Sequence, residues 1–196
     1  VRRSVANHLN DLAKSQPDLV VETLTRWCGE SEPVDDRMVR HALRSLVKQG
    51  HGGALALLGF TTEPELGPVD FSCHPSEIDL GSQIELTAEL TSTARSDQLL
   101  VIDFVIHHVL AGGKTSPKVF KWTTQNLAPG QTLALSKKRT IQTASTRKYH
   151  AGQHRIDLQV AGRPVASTVF RLSQSSVPDP VGEGGGAAGD DHEGNP

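Results

Sequence analysis

The sequence has 196 residues, 36% of them hydrophobic, enough for one domain of ordinary size or two small ones. No run approaches the roughly 20 apolar residues of a membrane-spanning helix, and the two arginines near the start are followed by no apolar core of signal-peptide length. The net charge of −2 hides an asymmetry: residues 69–173 hold 12 Lys/Arg against 8 Asp/Glu, whereas 174–196 hold five acids and no base.

The chain does not begin with Met and opens inside a helical pattern, as expected of the C-terminal piece of a longer protein. Val1, Val5, Leu9 and Leu12 share one helical face. Pro17 opens a second helix at its first turn, where its missing N–H costs nothing, and Leu19, Val20, Leu24 and Trp27 form its apolar side before Gly29. A third helix is expected from Asp35, through Val39, Ala42, Leu43, Leu46 and Val47, to Gly50, and a short fourth over 54–58. At an offset of 37 residues Arg3 falls on Arg40, Leu9 on Leu46 and Val20 on Leu57, a period in the HEAT-like range. Two such repeats bury too little surface to stand alone.

Residues 60–68, with two prolines and two acids, read as a linker. From Val69 the hydrophobic period becomes two, with strands expected near 69–73, 83–91, 98–109, 118–124, 131–141, 153–161 and 165–172. Seven short strands in about 105 residues fit an immunoglobulin-like sandwich, and Tyr149 just before 153–161 fits a tyrosine corner. The expected fold class is therefore multi-domain α and β. C-terminal HEAT-like α-helical repeats span 1–59, a linker 60–68, an immunoglobulin-like antiparallel β-sandwich 69–173, and a disordered, acidic, Gly-rich tail 174–196.

Cys28 and Cys73 cannot make a disulfide framework and favour a reducing, cytoplasmic setting. No Cys or His pair has zinc spacing, and His107 and His108 point to opposite faces of a strand. No metal or other cofactor is expected.

Chemistry-bearing residues gather on two stripes. Arg3, Asn7 and Asp11 recur every four residues, as do Arg40, Arg44 and Lys48, so each set shares a helix face. Such stripes can grip a phosphate backbone through charge-assisted hydrogen bonds; the plainer reading of either is a solvated face. Trp27 reads as core and His41 as a surface histidine.

VRRSVANHLNDLAKSQPDLVVETLTRW, followed by VRHALRSLVKQGHGGALALLG, resembles the last repeats of the DNA alkylation repair family, the HEAT-like alkylpurine DNA glycosylases. The resemblance covers 1–59, and the order of helices then sandwich is similar to the C-type branch. It implies hydrolytic removal of cationic N-alkylated purines of the 3-methyladenine type from duplex DNA in base excision repair. It further implies a positively charged concave groove and recognition without full base extrusion. Glycosidic cleavage develops oxocarbenium character that a nearby anion stabilises. Asp11 is the candidate catalytic residue here, with Asn7 and His8 a turn away; otherwise it is a surface aspartate paired with a cation. The resemblance places a principal carboxylate and an aromatic residue upstream of Val1, so this piece alone is expected to be inactive.

In the sandwich, nothing from Phe104 to Ile156 is acidic, while nine Lys/Arg lie there. Lys137, Lys138, Arg139, Arg147 and Lys148 are the candidate backbone contacts, adding affinity and salt dependence without reading sequence. The expected partner is duplex DNA containing alkylated bases, with no membrane contact and a monomeric protein. A non-enzymatic helical-repeat scaffold is the main alternative; its groove would expose apolar anchors. A sugar-binding sandwich would need more than the 4% aromatic residues present.

Overall fold

The computed structural model describes residues 2–30, 35–110, 112–142 and 149–173. Five helices come first: α1 (Arg2–Leu12), α2 (Pro17–Gly29), α3 (Asp36–Ala42), α4 (Arg44–Lys48) and α5 (Gly52–Leu57). Pro17 occupies the first turn of α2, and the Asp35 carboxylate accepts a hydrogen bond from Arg37 N at 2.9 Å to cap α3. Ala6 and Leu9 of α1, Val20 and Leu24 of α2, and Val39, Leu43 and Leu46 of the following segment close into one apolar cluster. Trp27 packs half-buried against it.

The single helix expected over 35–50 divides at Leu43, whose φ of −87° and ψ of 0° leave the helical region. Buried Asn10 of α1 accounts for the division. Its Oδ1 accepts from Ser45 N at 3.3 Å, satisfying an N–H that the new helix start leaves without a partner. The expected fold class is corrected on this side of the molecule. Among the described residues strand outweighs helix, 44% to 26%, and no HEAT-like repeats are evident. Helices of seven, five and six residues span about two turns or fewer, too short to present a repeat's continuous buried face.

The remainder is a two-sheet sandwich. Its strands are β1 (Asp70–His74), β2 (Glu77–Ile78), β3 (Gln83–Thr91), β4 (Gln98–Val109), β5 (Thr115–Leu127), β6 (Thr132–Thr140), β7 (Gly152–Val160) and β8 (Arg163–Leu172). One sheet runs β1-β3-β6 and the other β2-β8-β7-β4-β5; all pairings are antiparallel except β2 with β8. Cys73, Ile84 and Leu86 from the first sheet meet Phe104, Ile106, Ile156 and Phe170 from the second. The strict alternation in β3, with Ile84, Leu86, Ala88 and Leu90 inward, is what lets one face be buried. Tyr149 packs edge-on against His108, with ring centroids 4.8 Å apart. The two-residue β2 is too short to leave a periodic signal and was absent from the expected strands.

Residues 60–68 are not a free linker. Buried Gln98 donates to Glu65 O and accepts from Glu65 N, while Thr61 N and Gly67 N donate to the carbonyls of Leu99 and Thr91. Leu55 and Phe60 pack on Val101 of β4 and Ala161 of the β7–β8 turn. Arg163 and Glu63 add a two-pronged ion pair. The β7–β8 turn meets the turn after α4 backbone to backbone. Gly50 and Gly162 both have positive φ, and a Cβ on Gly50 would lie 2.7 Å from Ala161 O. The helices therefore sit at a fixed place on the outer face of the five-stranded sheet.

Candidate nucleic-acid interface

That docking brings the second stripe against the sandwich. Arg40 at the end of α3 and Arg44 and Lys48 of α4 line a cavity of about 140 Å³ with Val47, Phe60 and, from the sheet, Val101, Asp103 and Lys121. The cations come from two helices and a strand; only the tertiary fold makes them neighbours.

Asp103 is the residue that sequence reasoning missed. It interrupts the apolar run LLVIDFVI of β4, and that interruption was the available signal. Leu100, Ile102, Phe104 and Ile106 face the sandwich interior, so by alternation Asp103 faces the helices. The β4–β5 register shifts between Ile102 and Asp103, leaving Trp122 as the extra residue of a bulge and setting Lys121 opposite Asp103. Asp103 is only 2% exposed. Burial pushes its carboxyl up to about 6, against the opposing pull of Lys121, Lys48 and Lys137.

On α1, Asn7 Oδ1 accepts hydrogen bonds from His41 Nε2 at 2.8 Å and Arg44 Nη2 at 3.2 Å. These bonds tie the first stripe to the second. Asp11 is exposed and bound to Lys14 Nζ at 2.8 Å; that hydrogen bond, with Lys14's charge and weaker contributions from Arg44 and His8, holds its carboxyl below the usual range. Arg3 instead lines a groove between α1 and α3 with Arg2, Asp35, Arg37, Met38 and His41. His8 is exposed on α1.

The sandwich cations divide. Lys137 and Arg139 are half-buried on the inner side of β6, whereas Lys138 points outward and lies opposite Glu85 in the register. Lys137 Nζ donates to the carbonyls of Lys121 and Trp122 at 3.0 and 3.4 Å, fastening β6 to β5. Arg139 stacks its guanidinium 4.1 Å from the Phe120 ring centre. Lys137 and Arg139 therefore join the sheet edges, and Lys138 alone of the three is freely presented. Arg147 and Lys148, and the acidic tail, lie outside the described residues.

A second buried acid lies further along the same sheet face. Asp157 of β7 accepts from Arg155 Nε and Nη2, His107 Nε2 and Ser167 Oγ, each at 2.7 Å. Burial alone would raise its carboxyl, yet these donors hold it well below the ordinary range. Cys73 is buried and its thiol pushed up to about 11, which removes it as a nucleophile. Among the described residues no group of three or more His, Cys, Asp or Glu could hold a metal ion, and no helix is long and apolar enough to cross a membrane.

Known proteins carry the same architecture. The family model described as the C-terminal Ig-like domain of the uncharacterised protein YhaZ matches residues 68–174. The uncharacterized protein YhaZ of Bacillus subtilis (strain 168) is 33% identical over 172 residues, 88% of this chain and 47% of that protein. The Pseudomonas fluorescens alkylpurine DNA glycosylase AlkC, solved bound to DNA containing an abasic site analog, superposes with a TM-score of 0.80 at 34% identity, covering 88% of this chain and 48% of that one. The chain thus spans about half the length of each. With more than half of its residues matched by the family model, the chain belongs to the family defined by the C-terminal Ig-like domain of YhaZ.

Proposed function

We propose that this chain forms the DNA-gripping part of an alkylpurine DNA glycosylase, which removes cationic N-alkylated purines from duplex DNA. The observation that carries the reading is the likeness, at a TM-score of 0.80 and 34% identity, to a glycosylase solved on DNA. The row Arg40, Arg44, Lys48 and Lys121 supplies a surface suited to a phosphate backbone, where guanidinium and ammonium groups make charge-assisted hydrogen bonds. A scaffold role would call for clustered apolar anchors. The large exposed apolar side chains among the described residues, Leu19, Leu80 and Val169, are instead scattered over separate elements.

In this reading the segment to residue 59 grips one stretch of backbone and the sandwich over 69–173 a second, with 60–68 fixing their spacing. Arg3, Asn7, His8 and Lys138 extend the contact, as do Arg147 and Lys148. An alkylated purine is already a cationic leaving group, so the chemical demand is for an anion near the developing oxocarbenium sugar. Asp11, ionised and exposed on α1, is the proposed contributor within this chain, exchanging Lys14 for the charged transition state.

Asp11→Asn in the protein that includes the preceding residues tests this role. Single-turnover release of 3-methyladenine should slow at least tenfold while duplex affinity changes little, because an interaction gained only in the transition state lowers turnover rather than binding. Unchanged release would remove Asp11 from the chemistry.

A further inference from the structure

The junction cavity has a composition that plain backbone gripping does not require. Four cations suffice to attract a phosphate, yet the wall they surround holds a buried carboxylate. We propose that this cavity is a seat for one DNA phosphodiester group, and that its filling is coupled to proton uptake by Asp103. The inference rests on the DNA-binding reading above and deepens it.

The coupling is electrostatic. Lining the cavity with Asp103 are Arg40 from α3, Arg44 and Lys48 from α4 and Lys121 from β5, and the charges of Lys121, Lys48 and, from β6, Lys137 act on its carboxyl. The residue opposite on β7 is Gln159, which is neutral, and the next acid on that strand, Asp157, is held by Arg155, His107 and Ser167. Without an anion, the ionised Asp103 serves as counter-ion for the cationic row. A phosphodiester entering the cavity competes for the same cations and brings a second negative charge beside a carboxylate that water barely reaches. Two anions in one poorly solvated site raise the proton affinity of the more protonatable one. A phosphodiester stays ionised, so Asp103 takes the proton. Its carboxyl, already raised to about 6 by burial, needs only a further modest rise to be protonated near neutral pH. The acid acts as a specificity element: when ionised it disfavours any anion that does not also satisfy the surrounding cations.

The test is calorimetric binding of a short duplex oligonucleotide, run at pH 7.5 in two buffers of different ionisation enthalpy so that the protons taken up are counted. Inorganic phosphate is titrated in a parallel arm. The wild-type chain should take up roughly half a proton or more per duplex bound. Asp103→Asn should remove that uptake and bind the duplex about tenfold tighter at pH 7.5, an advantage that disappears near pH 5. Lys121→Ala, at an exposed position, should weaken both the duplex and the phosphate arm. The decisive quantity is the difference in proton uptake between wild type and Asp103→Asn. Equal proton uptake by both, or Lys121→Ala binding duplex as wild type does, overturns the seat while leaving DNA binding intact. Phosphate binding that needs Lys121, in a chain that binds no duplex, overturns the DNA-binding reading instead.

Discussion

Two aspartates on one sheet face, at Asp103 and Asp157, show how burial of the same group can serve opposite ends. They are 2% and 3% exposed and lie one inter-strand step apart, since Asp103 pairs with Gln159 and Val105 with Asp157. Asp157 is saturated: Arg155, His107 and Ser167 supply four hydrogen bonds, and the carboxylate stays ionised despite burial. Asp103 makes no ion pair among the described residues; Lys121 opposite it on β5 and Lys48 on α4 act through their charge, and its carboxyl is raised. A closed network fixes structure. An open one keeps its charge available to something that enters. Direct donors, more than depth of burial, separate a structural acid from a functional one.

The largest expected effect comes from breaking the closed network. Asp157→Ala strands Arg155 and His107 and should cost about 3–5 kcal/mol in urea unfolding at pH 7. Because the folded carboxyl is lowered, Asp157's contribution is fully present above about pH 4 and fades as pH falls further. A variant that lost as much stability relative to wild type at pH 2 as at pH 7 would contradict this assignment.

Asp103→Asn should act in the opposite sense. A rise from 3.8 to about 6 corresponds to about 3 kcal/mol of unfavourable burial once the carboxyl is ionised. Wild type therefore loses this stability as pH climbs from 4 through 6, and the Asn variant should be more stable by about that amount at pH 8 and no different at pH 3. A destabilised Asn variant at pH 8 would mean that the carboxylate is tied by direct bonds.

Gly162→Ala should act on one of the two acids alone. Its Cβ would collide with the Gly50 backbone, and its φ of +78° disfavours any side chain. It should cost about 2 kcal/mol, lift the helices from the sheet, hydrate Asp103 and return its carboxyl toward 4. Asp157, away from the contact, should titrate unchanged. Carboxyl carbon NMR shifts of both acids read this out, and a joint shift would deny that the helices alone bury Asp103.

Much of this was legible in the sequence, for local reasons. The turn at Pro17, the alternation of β3 and the opposite facing of His107 and His108 follow from backbone geometry acting over a few residues. What was not legible depends on partners distant in sequence. The division at Leu43 rests on Asn10, 35 residues before Ser45, and periodicity across 35–50 carries no trace of it. The 37-residue offset suggested repeats because spacing reports period but not helix length. At the candidate site, four-residue spacing identified Arg40, Arg44 and Lys48, while Lys121 and Asp103 joined them only through the bulge at Trp122. The Lys137–Lys138–Arg139 cluster was split by the alternation of β6, with two of its members occupied by carbonyls and a phenyl ring.

Contact of Arg40, Arg44 and Lys48 with the phosphates of duplex DNA should show in the salt dependence of binding. The most direct measurement is the affinity of the full chain for a short duplex against salt concentration, for wild type and for the combined Arg40→Ala, Arg44→Ala and Lys48→Ala variant. Each lost phosphate contact should flatten the logarithmic slope by roughly 0.9, so the variant should show a slope shallower by about 2 to 3, with its circular dichroism unchanged. An equal slope in a variant that remains folded would rule out these phosphate contacts.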